Sequence, residues 1–133
     1  MLFGRKLESF DVATLHLSGM RYICDYEITR EGETAVLIRY DLRFEPEGDR
    51  RVPRVRAERP FEEALAVFNR CGVLGWNGFN GPHPRGVLDG IMFRFTLVSE
   101  GKKIVSASGS QNFPRRFYDL REYIETTLRP TAD

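Results

Sequence analysis

Strict alternation of apolar and polar residues, interrupted by glycine turns, is the feature of this 133-residue chain that most constrains its fold. The alternation runs through residues 21–29, with Tyr22, Cys24, Tyr26 and Ile28 on one face, and through residues 36–44, with Val36, Ile38, Tyr40, Leu42 and Phe44 on one face. A turn that contains Gly32 separates the two runs. A second pair of runs, residues 91–98 and 103–108, also flanks a glycine turn. Period-two alternation is typical of strands with one buried face, and a short glycine turn joins neighbouring strands into a hairpin. The sequence therefore predicts two β-hairpins.

An amphipathic helix is predicted after each hairpin. Pro60 and Pro114 suit the first position of a helix, and Gly72 suits a left-handed cap at the end of the first helix. The two apolar stripes are Phe61, Ala64, Leu65 and Phe68, and Phe117, Leu120, Ile124 and Leu128. A helix with one apolar stripe needs a sheet to cover. We therefore expect both helices to meet the alternating faces of the two hairpins.

The predicted fold is α+β, in a single domain spanning residues 1–133. Residues 10–17 form a short first strand, and residues 46–59, with their breakers Gly48 and Pro53, form either an exposed loop or an edge strand. Together these elements predict an antiparallel sheet of about five strands, with two helices on one face and the other face partly open. The repeated order of hairpin and helix is compatible with two ββα units and leaves internal duplication open.

Charge and cysteine content argue against several classes of partner. The net charge of +1 gives no global field that would attract nucleic acid or an anionic membrane. The densest basic cluster comprises Arg50, Arg51, Arg54, Arg56 and Arg59. Acidic residues interrupt this cluster and no aromatic residue is interleaved for base stacking, so a solvated loop is expected rather than a nucleic-acid site. Cys24 and Cys71 form no metal-binding or disulfide pattern, and no apolar run could span a bilayer, so a cytoplasmic protein is expected.

No catalytic residue, metal ligand or cofactor is predicted. Cys71, His83 and Asp89 could be assembled into a nucleophile, base and orienter, but Cys71 lies near the C-terminal end of a helix, where the dipole raises a thiol pKa. His16 lies in a predicted strand and is expected to be a satisfied sheet residue. Two histidines are too few for a zinc site, and no glycine-rich nucleotide fingerprint is present.

Two segments are the best candidates for a ligand surface: the glycine loop at residues 76–89 and the turn at residues 108–116. The candidate residues are Trp76, Asn77, His83, Asp89, Ser108, Ser110, Asn112, Arg115 and Arg116. The two arginines open a predicted helix beside free amides and hydroxyls, which is what a phosphate or carboxylate needs. Two alternatives need no ligand. Asp119 could pair with one of these arginines, and the tryptophan could be a buried plug beneath the loop.

The C-terminal half also carries a series of short motifs. In order they are Trp76-Asn77-Gly78-Phe79, Val87-Leu88-Asp89-Gly90, Ser108-Gly109-Ser110-Gln111-Asn112-Phe113-Pro114 and Phe117-Tyr118-Asp119-Leu120. This combination resembles a recurrent pattern in small bacterial domains of unknown function. The resemblance implies a self-contained bacterial domain, and it transfers no activity and no catalytic role.

These observations predict a stable scaffold without an obvious catalytic constellation. The preferred hypothesis is a non-enzymatic binding or protein-interaction module, whose partner is a protein or a small anion. The alternative is a small enzyme or ligand-binding protein that uses the loop at residues 76–89 and the turn at residues 108–116. An open sheet face and unpaired edges also make a homodimer an expectation.

Overall fold

A computed structural model describes residues 6–19, 23–87 and 90–129, and within them the chain forms one sheet and two helices. The elements are β1 Val12–Ser18, β2 Ile23–Glu31, β3 Thr34–Arg43, β4 Arg50–Pro60, α1 Phe61–Cys71, a 3-10 helix at Val73–Trp76, β5 Asn80–Gly81, β6 Met92–Ser99, β7 Lys102–Ser110 and α2 Phe117–Leu128. The strand order is β4-β3-β2-β1-β6-β7-β5. The predicted α+β class is confirmed.

The sheet differs from the prediction in the number and direction of its strands. Among the described residues it has seven strands rather than about five, because Asn80–Gly81 form a short strand at one edge and residues 50–60 form a strand at the other, one of the two alternatives considered for that segment. The other edge is not antiparallel. Asn80 and Gly81 pair in parallel with Ser108 and Gly109, since the glycine loop runs alongside the end of β7. The prediction of a wholly antiparallel sheet is therefore wrong at that edge.

The core lies on one face of the sheet, and both helices cover it. Leu15 faces this core between Tyr26 and Phe95 on the flanking strands. The ring of Phe68 in α1 lies 6.4 Å from that of Phe95. From α2, the ring of Phe117 lies 4.8 Å from that of Phe93. Every residue of both predicted helix stripes is buried, so the placement of the two helices on one face is confirmed.

The apolar stripe of β3 faces the opposite way from the prediction. The β3 residues that enter the core are Ala35 and Leu37, whereas Ile38 and Tyr40 lie on the open face. The cause is the register of the hairpin. The turn at Gly32, with φ of 65°, pairs Glu31 with Thr34, so Leu37 lies opposite Ile28 in the core. In β2 the predicted face is confirmed by buried Cys24, Tyr26 and Ile28, while Tyr22 lies outside the described residues.

The helix ends follow the sequence signals in one case and depart from them in the other. Gly72, with φ of 70°, caps α1 in the left-handed region as predicted. The second helix begins at Phe117, three residues after Pro114. Arg116 adopts a left-handed φ of 66°, which is incompatible with helical backbone and delays the start. The prediction that Pro114 opens the helix is therefore wrong.

The sheet has an approximate twofold arrangement of its strands. Because neighbouring strands alternate in direction from β4 to β7, a twofold axis between β2 and β1 would relate the order and direction of β3 and β4 to those of β6 and β7. The chain order β3-β4-α1 then matches β6-β7-α2. The β2–β3 hairpin does not match β6–β7 in this way, although the spacing of their glycine turns suggested it. The ββα units related by the rotation therefore include the edge strand β4.

Candidate functional site

A groove of about 470 Å³ opens on the face of the sheet that the helices leave uncovered. Strands β1, β6 and β7 form its floor, and the loop that contains β5 forms one wall. Its polar and exposed lining includes His16, Ser18, His83, Met92, Arg94, Ser108 and Ser110. The strand register places Arg94 between His16 on one side and Ser108 on the other. We refer to this site as the Arg94 groove.

Arg94 is exposed and has no carboxylate partner among residues 6–19, 23–87 and 90–129. Its neighbours across the sheet are an imidazole and a hydroxyl, neither of which compensates a guanidinium charge at neutral pH. A guanidinium carries five donors in a planar fork that matches carboxylate and phosphate oxygens. The groove therefore presents an uncompensated cation where a small anion could approach.

One wall of the groove is an imidazole held between a hydroxyl and a carbonyl. His83 Nδ1 lies 2.8 Å from Ser110 Oγ, and His83 Nε2 contacts the backbone carbonyl of Val87. A carbonyl oxygen can only accept, so Nε2 carries the hydrogen. In the neutral ring Nδ1 then accepts the hydrogen bond that the Ser110 hydroxyl donates. The structure therefore brings together two residues predicted for the ligand surface, one from the loop and one from the turn.

A second imidazole stands on the opposite side of the groove. His16 Nδ1 lies 2.6 Å from Asp25 Oδ1, and the other oxygen of Asp25 lies 3.1 Å from Arg51 Nε. The guanidinium of Arg51 also stacks over the ring of Tyr40, 4.0 Å from its centroid. The cross-strand pair with Asp25 confirms the prediction that His16 is a sheet residue with a hydrogen-bond partner in the sheet. The Asp25 carboxylate can only accept a hydrogen bond, so His16 Nδ1 carries the hydrogen. In the neutral ring, Nε2 is then an acceptor.

The turn after β7 fixes the end of the groove by close backbone packing. Gln111, with a left-handed φ of 48°, donates its backbone N–H to the Ile91 carbonyl and accepts the Ile91 N–H at Oε1, 2.8 Å away. Asn112 Nδ2 donates to the Pro82 carbonyl at 3.2 Å. At Gly109 an added Cβ would lie 2.1 Å from the Asn112 carbonyl oxygen. Only glycine fits there, so Ser110 and the loop are held in a defined position.

Trp76 and Asn77 have structural partners away from the groove. Trp76 is buried, and its Nε1 donates to the Arg115 carbonyl at 3.1 Å, as the plug interpretation requires. Asn77 Oδ1 accepts the Ser106 N–H at 3.0 Å. Asp89 lies outside the described residues.

In the turn before α2, the guanidinium of Arg116 finds hydrogen-bond acceptors within the chain. Arg116 Nε donates to Asp119 Oδ2 at 3.1 Å, and its Nη1 donates to the Arg70 carbonyl at 2.9 Å. This is the alternative that needs no ligand. Neither Arg115 nor Arg116 lines the Arg94 groove. The geometry therefore moves the best candidate for an anion site from this turn to the groove.

The cluster of arginines on β4 is also compensated. All five make ion pairs, the partners being Glu45 for Arg50, Asp25 and Glu27 for Arg51, Asp41 for Arg54, Glu58 for Arg56, and Glu63 for Arg59. The five arginines are exposed, as expected, but they lie on strand β4 rather than in a solvated loop. Cys71 is buried in the core, and burial raises the pKa of its thiol, which opposes a nucleophilic role.

Sequence reasoning missed Arg94, Ser18 and the position of His16 at the groove. Alternation does place Arg94 on the face opposite Phe93 and Phe95, so the exposure of Arg94 could be predicted from the sequence. What brings it beside His16 is the pairing of β1 with β6, strands about 80 residues apart in the chain.

Two comparisons with known proteins found no match. No protein-family model matches the chain, and no curated protein matches its sequence. Within the described ranges no helix is both long enough and apolar enough to cross a membrane.

Proposed function

We propose that this protein is a binding module that holds a small anionic molecule in the Arg94 groove. The observation that carries the proposal is the guanidinium of Arg94, which has no carboxylate partner among the described residues and lies on the floor of a cavity of about 470 Å³. A cavity of this volume is in the range of small-molecule sites. A carboxylate or phosphate can take two hydrogen bonds from the guanidinium fork, while Ser108 and His16 flank it.

The groove is a better candidate than the more basic edge of the sheet. At β4 an incoming anion would compete with carboxylates that already neutralise each arginine. At Arg94 no described carboxylate has to be displaced, so the attraction for a ligand is not offset in this way. The low net charge of the chain and the paired β4 arginines also argue against a nucleic-acid partner.

The test is a thermal-shift titration with phosphate, sulfate and succinate at matched ionic strength. A ligand at about 100 times its Kd stabilises a fold by about 2.7 kcal/mol, which is several degrees of Tm for a chain of this size. We expect Arg94→Gln to abolish the shift. Arg115→Gln is the matched control, because this exposed arginine lies outside the groove, and it should respond like the wild type. An equal response of all three proteins would refute the groove as the site.

A second candidate function is a small enzyme that uses the same loop and turn. The contact between Ser110 and His83 favours it, and its consequence is developed below. A cytoplasmic location, a bacterial origin of the kind implied by the motif resemblance, and a homodimer stay proposals beside this function. Light scattering over a concentration series tests the homodimer directly, and a concentration-independent monomer would remove it.

A further inference from the structure

We infer that Ser110 is a nucleophile, activated by His83, for the hydrolysis of esters that carry an anionic group. The inference rests on the proposed function for its substrate class, since Arg94 would hold the anion. Its chemical core is independent of that function. It is the hydrogen bond of 2.8 Å between the Ser110 hydroxyl and His83 Nδ1.

The tautomer of His83 is the first argument. A serine hydroxyl needs an adjacent base, and an imidazole serves only if the nitrogen facing the hydroxyl is unprotonated. The Val87 carbonyl accepts from Nε2–H and so leaves Nδ1 with a free electron pair toward Ser110. A carbonyl here orients the ring, a role that a carboxylate has in many hydrolases. Nucleophile, base and orienting acceptor are thus all present.

The placement of Ser110 is the second argument. It is the last residue of β7, between Gly109 and Gln111, and the left-handed backbone at Gln111 turns the chain sharply away. The residue is half-buried and lines the groove together with Arg94. A strained turn directly after a strand exposes a nucleophile while its position is held by the sheet. Hydrogen bonds at Gln111 and Asn112 provide that support.

The proposed reaction is a two-step acyl transfer with water as the second substrate. The Ser110 oxygen bonds to the ester carbonyl carbon, its proton moves to His83 Nδ1, and the carbonyl π electrons move to oxygen. Collapse of this intermediate breaks the bond to the leaving alcohol, which takes the proton from Nδ1. Water then adds to the acyl-serine in the same way. The products are a carboxylic acid and an alcohol, and the Ser110 hydroxyl is restored.

The first arm of the experiment is covalent labelling by a fluorophosphonate, with the labelled residue identified by mass spectrometry. We expect one label at Ser110 and none in Ser110→Ala. His83→Gln should slow labelling by about 10²-fold or more, the contribution typical of a general base. Ser106→Ala is the matched control, since Ser106 lies on the same strand outside the groove lining and should not affect the label.

A structural role for the same hydrogen bond predicts a different result. If Ser110 and His83 only tie the loop to β7, both substitutions lower Tm and no label forms on the folded wild type. A Ser110→Cys variant keeps the test of the base possible if Ser110→Ala fails to fold. With the base in place its thiol should react with iodoacetamide faster than in the Ser110→Cys, His83→Gln double variant. Equal rates in these two proteins would overturn the inference.

The second arm separates this inference from the proposed function. Hydrolysis of p-nitrophenyl succinate, which is anionic, is compared with that of neutral p-nitrophenyl butyrate. We expect a preference for the succinate ester that Arg94→Gln removes. Anion-dependent Tm shifts without a label on Ser110 would contradict the role of Ser110 as a nucleophile and would leave the proposed binding function standing. Labelling of Ser110 with no anion-dependent Tm shift, and with an ester preference that Arg94→Gln leaves unchanged, would contradict the binding function and leave the nucleophile standing.

Discussion

Two clefts of similar size open on opposite faces of the sheet, and they differ in how their strand arginines are partnered. The first, of about 500 Å³, lies where the end of α2 meets β3 and β4, and we call it the Asp41 cleft. Two arginines reach it from the sheet, Arg39 and Arg54, and both form ion pairs with Asp41, at 3.5 and 3.0 Å. The second is the Arg94 groove, whose arginine has no such partner in the described chain.

The contrast shows that the density of basic residues in a sequence does not locate an anion site. Five arginines fall within eleven residues of β4, yet cross-strand and neighbouring carboxylates compensate each of them. Arg94 on β6 has no carboxylate partner within the part of the chain that the structure describes, and its neighbours in the sheet, His16 and Ser108, carry no negative charge at neutral pH. Strand pairing, rather than local composition, therefore decides which guanidinium can accept a ligand.

The largest effect is expected for Phe68→Ala, which tests whether the two clefts share one cooperative core. Phe68 is fully buried and stacks on Phe10, with ring centroids 4.6 Å apart. We expect a loss of about 3–5 kcal/mol in the free energy of unfolding, as for other buried aromatic truncations. Urea unfolding followed by tryptophan fluorescence and by circular dichroism should show one coincident transition. Separate transitions, or a loss under about 1 kcal/mol, would contradict a shared core.

Gly109→Ala should damage the Arg94 groove while leaving the Asp41 cleft in place. The new Cβ would meet the Asn112 carbonyl at 2.1 Å and the Phe93 ring at 2.8 Å, so the turn must move. We expect a loss of about 1–3 kcal/mol, the cost of overpacking, together with loss of the anion-dependent Tm shift. Gly75→Ala is the control, because an added Cβ there meets nothing within 4 Å. A variant that kept the anion response would show that the turn does not shape the site.

Local structure could be predicted from the sequence because local rules decide it. The turns at Gly32 and Gly101 have φ of 65° and 74°, and a glycine in that position is readable from spacing alone. The apolar stripes of the two helices could be predicted from residue spacing for the same reason. The orientation of β3 could not be predicted, because its larger apolar residues lie on the open face, and only the register with β2 shows which residues enter the core.

The candidate site could be predicted only in part. Ser110 was a candidate because of anion binding at a helix N-terminus, where Arg116 in fact pairs with Asp119. His83 was a candidate as part of the glycine loop, and its contact with Ser110 was not predicted. Their contact spans 27 residues and depends on the parallel pairing of β5 with β7. The sequence carries no periodic signal for a two-residue strand, so this contact could not be inferred from it.

Asp41→Asn would sharpen the comparison by removing the ion-pair partner that Arg39 and Arg54 share. If a carboxylate is what prevents β4 from binding anions, its removal should give the Asp41 cleft a thermal response to phosphate and sulfate. The stability cost should be small, about 0–1 kcal/mol, because both arginines are substantially exposed. The control is Glu58→Gln, which frees Arg56 outside the cleft. Absence of any new anion response in Asp41→Asn would show that pairing is not the deciding difference.

The smallest effect concerns the pH dependence of a carboxylate that compensates the β4 edge. Hydrogen bonds from Arg59 and Tyr123 lower the pKa of Glu63 below its ordinary value of 4.5. A carboxyl whose pKa is lower in the folded state contributes stability above its unfolded pKa, and this contribution is lost as the pH falls through the folded value. Glu63→Gln should therefore be less stable than the wild type at pH 7, and the difference should shrink as the pH falls below about 4.5. Glu62→Gln, an exposed neighbour in the same first turn of α1, is the matched control, because it leaves the contacts of Glu63 with Arg59 and Tyr123 in place. Urea midpoints at a series of pH values, at constant ionic strength, measure the difference. A gap between Glu63→Gln and the wild type that stayed constant down to pH 3 would mean that Glu63 does not compensate the edge through its charge.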